Sequence, residues 1–392
     1  MKEVIKVLIF FTIIGFFSCK KNDTKQNSIV RTSEFSTIQI NPKKIEKDNN
    51  FISLFSDSIA YIPLETKDDF LIGSIDKIVV KENKIFILDK VSEVIFCFDL
   101  QNGNFLYKID SRGSGPGEYV SIMNFIIDSN DNLLIYSTGQ GFLIYNNGKF
   151  IDKIESRIIA SDFYLNKDSS IYFYTGRFPN ESVFKDFPNQ YRLVKVNKSK
   201  IEENYLPYIY NDNYLKIPSR MNSFYSLDDT LHLIEYLNQE IYSIHNDILK
   251  PKYKFFFTTN NETFNFNQKV ESNLLIIEKI KKNNYTMLNS IIESNGYLFL
   301  SYNIKNIEMY SYIQKNKNKI SNIGMFYIDD FNNTPLGAEF LYSTGDELIG
   351  YIEPNIFLDL LKNKKDISSN LKLLKDKTEI FNNPIIVKLK LK

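Results

Sequence analysis

The chain has 392 residues, with 48 Lys and Arg against 47 Asp and Glu, and a formal net charge of +1. This balance lacks the basic excess that nucleic-acid-binding proteins carry, so we expect no nucleic-acid partner. Aromatic residues make up 15% of the chain, with 32 Phe, 25 Tyr and no Trp. Phe and Tyr suit half-buried strands, and the absence of Trp argues against WD-type blades, whose repeat contains a Trp-Asp pair.

The N-terminal segment has the features of an export signal. Lys2 and Lys6 precede an apolar run over 7–17 that is too short to span a bilayer comfortably. A cysteine and a polar stretch follow directly. This arrangement resembles a bacterial lipoprotein signal, so we predict a signal peptide over 1–18 and a lipid on Cys19 that attaches the protein to a membrane. The alternatives are a free cysteine after an ordinary signal, or an N-terminal membrane anchor.

Residues 19–57 are predicted to be a tether that becomes partly ordered. Lys, Asn, Ser and Asp dominate the segment, and its first part is too polar to bury enough apolar surface to fold alone. Only residues 36–40 have the pattern of a strand. We expect the tether to hold the folded body away from the membrane.

Two neighbouring segments, 75–109 and 123–154, read alike. Gly103 returns as Gly148, 45 residues later, and each glycine follows an asparagine in a hairpin-turn pattern. Short strands and tight turns that repeat near this period are typical of propeller blades. The sequence therefore predicts an all-β fold, a six-bladed β-propeller over 58–392.

The predicted strands occur in groups of four. Those of the first two blades lie near 75–80, 84–89, 93–98 and 104–109, and near 121–127, 132–137, 141–145 and 149–154. The later blades are predicted near 160–207, 220–257, 285–325 and from 335 onward, with helical insertions near 263–283 and 355–376. The last blade has only three strands near the C-terminus. Because an open ring would expose sheet edges, we expect residues 59–64 to supply its fourth strand and close the propeller with both termini.

Several of these segments together resemble a known family. Tyr61–Thr66, Ile85–Asp89, Arg112–Tyr119 and Asn383–Lys390 look like the six-bladed β-propeller lipoproteins of Bacteroides-type bacteria, which are related to NHL-type propellers. The resemblance implies the fold and a lipid-anchored location in the cell envelope, and it leaves the activity open. Lysines follow the predicted lipidated cysteine where surface-exported lipoproteins have an acidic run, which favours the periplasm-facing side.

The glycine-rich segment 112–119 is a candidate ligand site. It connects the outer strand of one blade to the inner strand of the next, on the face of a propeller that usually carries ligands. Arg112 and Glu118 could contact a ligand, with Tyr119 as a stacking surface. The alternative is that Arg112 and Glu118 satisfy the loop's own polar groups while Tyr119 packs between blades.

Other candidate residues carry weaker signals. Asp89 ends a predicted strand on the same face, where it could contact a ligand or form a turn. Asp128 begins a segment that superficially resembles a calcium loop but lacks its glycine and distal glutamate. Cys97, His232 and His245 lie in strand patterns without neighbouring ligands, so they are interpreted as packed or exposed strand residues. The sequence predicts no metal site and no cofactor.

These observations favour a binding or scaffold protein over an enzyme, and they identify no catalytic residue. The leading hypothesis is a lipid-anchored envelope propeller whose partner is a glycan, a peptide or an envelope protein. The competing hypothesis is an envelope hydrolase or lyase that acts on carbohydrate, because a carboxylate pair for glycoside hydrolysis leaves no local signature.

Overall fold

The computed structural model describes residues 34–46, 50–176, 178–208, 222–236, 238–258, 286–304, 307–324 and 327–392. These residues confirm the predicted six-bladed β-propeller. Two strands, β1 (Ser36–Ile40) and β2 (Ser56–Pro63), precede the first blade in the sequence. Each of them joins a blade that the later chain forms.

The first three blades contain four strands each, in consecutive antiparallel order. Blade 1 contains β3 (Lys77–Lys81), β4 (Lys84–Asp89), β5 (Val94–Asp99) and β6 (Phe105–Ile109). Blade 2 contains β7 (Asn124–Ile127), β8 (Leu133–Ser137), β9 (Gly141–Asn146) and β10 (Lys149–Ile154). Blade 3 contains β11 (Asp162–Leu165), β12 (Ile171–Tyr174), β13 (Gln190–Asn197) and β14 (Lys200–Tyr208).

The second half of the chain forms blades 4 to 6 and a small hairpin. Blade 4 contains β15 (Phe224–Leu227), β16 (Thr230–Glu235), β17 (Glu240–His245) and β18 (Ile248–Phe257). Blade 5 contains β19 (Met287–Glu293), β20 (Tyr297–Ile304), β21 (Ile307–Gln314) and β22 (Lys319–Gly324). The hairpin of β23 (Tyr327–Asp329) and β24 (Thr334–Leu336) leads to blade 6, which contains β25 (Glu339–Ser343), β26 (Glu347–Ile352) and β27 (Ile385–Leu391).

The N-terminal strand β2 closes the ring, as predicted. It is the outer strand of blade 6 and pairs antiparallel with β27, from Ser56 opposite Leu391 to Pro63 opposite Ile385. The pairing satisfies backbone groups that a C-terminal strand at the sheet edge would leave exposed. Strands from both ends of the chain therefore hold the propeller together.

Strand β1 adds a fifth strand to blade 4, within the segment that the sequence marks as a tether. It pairs in parallel with the outer strand β18, from Ser36 opposite Tyr253 to Ile40 opposite Phe257. Ile40 is fully buried against blade 4. Part of the predicted tether therefore belongs to the propeller.

Two helices interrupt blade 6 at the predicted place. They are α1 (Pro354–Leu361) and α2 (Ser369–Lys377). Pro354 stands at the start of α1, where its missing N–H costs no helical hydrogen bond. The Ser368 side chain caps α2 by accepting a hydrogen bond from the Leu371 N–H at 3.2 Å.

The helix predicted near 263–283 lies outside the described residues. Short 3-10 turns occur at Ile52–Leu54, Asp68–Phe70 and Lys315–Lys317.

The repeated glycines serve the turns that the sequence indicates. Asn147 and Gly148 have φ of 47° and 80°, which a two-residue hairpin turn with this twist requires. Gly103 has φ of 76°, and a Cβ atom there would lie 2.0 Å from the Pro63 carbonyl oxygen. The Glu65 N–H donates to the Gly103 carbonyl at 2.8 Å, so this close approach joins blade 1 to the strand that closes the ring.

The hydrophobic core lies between neighbouring blades. Between blades 1 and 2, for example, Phe86 and Ile95 of one sheet pack with Phe125 and Leu143 of the other. Alternate strand residues face opposite sides of a sheet, so each blade supplies side chains to two such interfaces. The first strands of neighbouring blades contact one another, for example β3 with β7 and with β25, and therefore lie at the centre of the ring.

The propeller has two distinct faces. We call the face with the connections from one blade's outer strand to the next blade's inner strand the connection face; the segment from 110 to 123 lies on it. The inner strands β3, β7, β11, β15, β19 and β25 all begin at this face and end at the opposite face.

Candidate functional site

Arg112 and Glu118 lie on the connection face between blades 1 and 2. The backbones of Arg112 and Tyr119 form a β-bridge, with the Gly113 N–H donating to the Tyr119 carbonyl at 3.0 Å. Glu118 Oε2 accepts a hydrogen bond from the Gly115 N–H at 2.8 Å. Arg112 is exposed to solvent. The Glu118 carboxylate thus stabilises its own loop, while Arg112 points outward.

Tyr119 lies in the core and not on the surface. Its side chain is fully buried between blades 1 and 2. The hydroxyl lies 2.8 Å from the Glu93 carbonyl oxygen and accepts a hydrogen bond from the Ser111 N–H at 3.1 Å. A ring in this position presents no face to a ligand. Tyr119 therefore packs between the blades and does not stack on a ligand.

Asp89 is fully buried and organises two loops of the connection face. Its carboxylate accepts hydrogen bonds from the Gly73 N–H at 2.7 Å, the Ser74 hydroxyl at 2.9 Å and the Val91 N–H at 2.8 Å. Burial opposes ionisation, but hydrogen bonds from Gly73, Ser92 and Ser74 outweigh it and lower the pKa of Asp89. The negative charge of Asp89 is therefore satisfied by hydrogen bonds inside the protein.

The remaining sequence candidates occupy structural positions. Asp128 Oδ1 accepts hydrogen bonds from the N–H groups of Asn130 and Asn132, both at 2.8 Å, which makes a hairpin turn. Cys97 is buried, and burial raises the pKa of its thiol to about 11. Residue Cys19, the predicted lipidation site, lies outside the described residues. In the described part of the chain, no group of three or more His, Cys, Asp or Glu residues is placed to hold a metal ion.

A central channel of about 890 Å³ lies among the inner strands of the six blades. Its wall consists mainly of the inner strands and the loops that follow them, with further residues from β16, β20 and β21. None of residues 112–119 belongs to this lining. The lining is rich in aromatic, amide and hydroxyl side chains, among them Tyr164, Tyr225, Tyr236, Tyr342, Asn222, Asn289, Asn303, Ser226, Ser290 and Ser343.

A chain of hydrogen bonds links the inner strands at the connection face. Lys77 Nζ donates to Asn124 Oδ1 at 2.7 Å, and Asn124 Nδ2 donates to Asp162 Oδ1 at 2.6 Å. Asp162 Oδ2 then accepts from the N–H groups of Ser223 and Phe224 at 2.6 and 3.0 Å. Lys77, Asn124 and Asp162 are the first residues of β3, β7 and β11. The chain therefore connects the inner ends of blades 1 to 4.

The two charged members of this chain, Lys77 and Asp162, have shifted pKa values. Burial, together with the charge of Lys90, lowers the pKa of Lys77 to about 8, and Asp162 opposes the shift. Burial also raises the pKa of Asp162, against the charge of Lys77 and hydrogen bonds from the backbone. Asp162 is buried to 1% exposure, whereas Lys77 is only half-buried. Of the two charged residues, Lys77 is therefore the one that is accessible from the channel.

A second polar cluster lies at the opposite end of the inner strand of blade 5. Glu293 ends β19, and its side chain is 1% exposed. Lys252 Nζ lies 2.7 Å from Oε2, Lys315 Nζ lies 3.0 Å from Oε1, and the Tyr225 hydroxyl donates to Oε2. Burial raises the pKa of Glu293, but the two lysines and the tyrosine outweigh it, so the pKa is lowered. This carboxylate stays ionised.

His232 packs beside the Glu293 cluster and is buried to 4% exposure. Its ring stacks on Tyr225 at 4.8 Å between centroids, and Nε2 lies 3.3 Å from Lys252 Nζ. Burial and the charge of Lys252 lower the pKa of His232 to about 4. His245, at the end of β17, is exposed. The two histidines are therefore a packed and an exposed strand residue, without a shared ligand.

Sequence reasoning missed the residues of both clusters. Lys77, Asn124 and Asp162 share one position in three successive blades, so an alignment of the blade repeats could have shown a polar residue at the start of each inner strand. Glu293 has no comparable signal, because its partners Lys315 and Tyr225 lie 22 and 68 residues away in the sequence.

The fold is similar to those of two solved structures from Bacteroides. A candidate exported protein from Bacteroides fragilis has a TM-score of 0.72 at 18% identity, with 91% of this chain and 100% of that chain covered. A member of the DUF4221 family from Bacteroides vulgatus has a TM-score of 0.52 at 10% identity, with coverages of 86% and 97%. Likeness at these identities shows a shared fold. A search of curated proteins finds no match.

Residues 35–390 match a family whose description is a domain of unknown function, DUF4934. The match begins with β1 and ends in β27, so it includes the fifth strand of blade 4 and both strands that close the ring. Among the described residues, no helix has both the length and the apolar character that crossing a membrane requires.

Proposed function

This chain belongs to the DUF4934 family, and we propose that it is a lipid-anchored binding module of the cell envelope that holds a glycan in its central channel. The observation that carries the proposal is the channel itself, about 890 Å³ in volume with a wall of tyrosine, amide and hydroxyl groups. Ligand sites in proteins are concave and combine aromatic surface with a few polar groups that fix orientation. Sugars, with apolar ring faces and many hydroxyls, match such a wall.

Glu293 is not the general acid that the competing hydrolase hypothesis would require. A glycosidase needs a carboxylic acid that gives up its proton near neutral pH, which requires a raised pKa. Glu293 lines the channel and is buried, but its two lysine partners lower its pKa. It is therefore ionised at neutral pH and cannot act as a general acid. Its contacts tie blade 4 to blade 5 instead.

The envelope location rests on two observations. The sequence before residue 20 has the order of a lipoprotein signal, with Cys19 as the acylated residue. A candidate exported protein from Bacteroides fragilis shares the fold. The lysines at 20 and 21 favour the periplasm-facing side of the membrane.

A panel of oligosaccharides and peptides tests this function. The purified chain is incubated with neutral oligosaccharides, acidic oligosaccharides and short peptides, and native mass spectrometry records which of them bind and whether any is cleaved. We expect an oligosaccharide to bind intact. Binding of peptides alone would assign a peptide-binding role, and cleavage of a bound sugar would make the protein an enzyme. Either result would contradict the proposal.

A further inference from the structure

We infer that the channel ligand carries an acidic group and that Lys77 is the residue that binds it. This inference rests on the proposed function and narrows it to an acidic oligosaccharide. It begins from the two lysines of the channel wall and from which of them already lies beside a carboxylate.

Lys77 and Lys167 are the two lysines that line the channel in the described part of the chain. Lys167 has a side chain that is 96% exposed and lies 3.6 Å from an Asp229 oxygen. Water therefore solvates Lys167 fully. Lys77 is half-buried, and no ion pair joins it to a carboxylate within the described ranges. The two lysines thus differ in how much they would gain from an anionic ligand.

The Lys77 ammonium has donors to spare. It carries three N–H groups, and one of them donates to Asn124 Oδ1 at 2.7 Å. Below it lies the Phe125 ring, with Nζ 5.4 Å from the ring centroid. A partly desolvated ammonium forms charge-assisted hydrogen bonds with an anion that are about twice as strong as neutral ones. An acidic group in the channel would take the remaining donors.

The carboxylates of the strands on either side of Lys77 have other hydrogen-bond partners. Asp162 on β11 is reached only through Asn124, and its oxygens also accept backbone N–H groups. Lys90, on the hairpin after β4, adds a second positive charge and helps to lower the pKa of Lys77 to about 8. Strand β25 packs on the other side of β3 and begins with Glu339, a carboxylate that also lines the channel and accepts a hydrogen bond from Tyr351.

The pKa gives the inference a pH signature. At neutral pH most of the Lys77 side chains are protonated, because their pKa is about 8. An anion binds the protonated form, so affinity should be full below this value and fall as the pH rises through it. An arginine at this position does not titrate in this range. Lys77→Arg should therefore keep the binding and remove the pH dependence.

The experiment compares an acidic oligosaccharide mixture with the same mixture after its uronic acids have been reduced to neutral sugars. A sulfated oligosaccharide mixture is the second arm, which separates a carboxylate from a sulfate as the acidic group. Retention is measured by native mass spectrometry, and the affinity of the best-retained component by calorimetry between pH 6 and pH 10. Lys77→Met removes the charge at similar size, and Lys167→Met is the matched control.

We expect the wild type to retain a component of an acidic mixture. Its retention should fall at least about tenfold after carboxyl reduction or desulfation of the mixture. Lys77→Met should cause a loss of the same size, and Lys167→Met should cause none. If Lys77→Met does not fold, the inference is tested by Lys77→Arg instead, in which the ligand affinity should no longer depend on pH. Equal retention of the neutral mixture would overturn the inference and leave the proposed glycan site standing. Retention of no mixture would overturn both.

Discussion

Lys252 Nζ lies 2.7 Å from Glu293 Oε2, and this contact joins β18 of blade 4 to the inner strand of blade 5. Lys315 Nζ, at 3.0 Å from the other carboxylate oxygen, completes a group in which one buried anion has two cationic partners. The carboxylate therefore acts as a tie between blades at the wall of the channel. Breaking it should affect the whole ring.

Glu293→Gln should destabilise the protein by about 3 kcal/mol, because it leaves two lysine charges without their buried counter-ion. Equilibrium unfolding in urea measures the change. Glu155→Gln is the matched control, since Glu155 is 89% exposed and lies 3.8 Å from Lys153; it should leave the free energy of unfolding unchanged. A loss below about 1 kcal/mol for Glu293→Gln would show that the cluster does not hold the blades together.

His232 should make the protein sensitive to mild acid. Its pKa is lowered to about 4 in the folded state, so folding resists protonation of the ring. The resulting stability is present above the ordinary pKa of histidine and is lost as the pH falls through the folded value. Between pH 7 and pH 4, the wild type should lose roughly 3 kcal/mol more stability than His232→Gln.

The control for this pH dependence is His245→Gln, because His245 is exposed at the end of its strand. Urea unfolding at a series of pH values compares the three proteins. Parallel curves for the wild type and His232→Gln would show that His232 titrates normally in the folded protein.

Tyr119→Phe should cost about 1–3 kcal/mol, because the Glu93 carbonyl and the Ser111 N–H would lose a buried partner. Arg112→Ala should stay within about 0.5 kcal/mol of the wild type, since Arg112 is exposed. Neither change should alter ligand affinity in the folded fraction. Lost binding in Arg112→Ala, with stability intact, would move the functional face to the 112–119 loop.

Cys19→Ala should release the protein from the membrane fraction or leave its signal unprocessed, because the lipid is the anchor that the sequence indicates. Fractionation of cells that express each form, followed by mass spectrometry of the N-terminus, measures both effects. A variant that is cleaved at the same position and still sediments with membranes would mean that the lipid is not on Cys19.

Much of the fold could be predicted from the sequence because blades repeat. The Asn-Gly turns at 102–103 and 147–148 and the apolar strands between them repeat along the chain, and period alone identifies such an architecture. Counting strands predicted closure by residues 59–64, and the closing strand β2 spans Ser56–Pro63. The pairing of β1 with blade 4 was not predicted, since an isolated five-residue strand contains no information about its partner.

The candidate site was harder to predict than the fold. The candidate residues lie in loops that glycines and turn formers mark in the sequence, namely Arg112, Glu118, Tyr119 and Asp89. Tyr119 and Asp89, however, are buried with partners inside the protein. Glu293 could not be predicted as a site residue, because its partners lie on strands that are distant in the sequence. Local patterns show where a chain turns, whereas a channel forms only when six inner strands come together.

The most direct test of the central claim is to obstruct the channel and measure ligand affinity. Ser226 lies exposed on the inner strand β15 and lines the channel, so the indole of Ser226→Trp would occupy part of its volume. Ser114→Trp, in the exposed loop of the connection face, is the matched control. Calorimetry with the oligosaccharide that the wild type retains best should show at least about a tenfold loss for Ser226→Trp and unchanged affinity for Ser114→Trp. Unchanged affinity in Ser226→Trp, with the protein folded, would show that the ligand binds outside the channel.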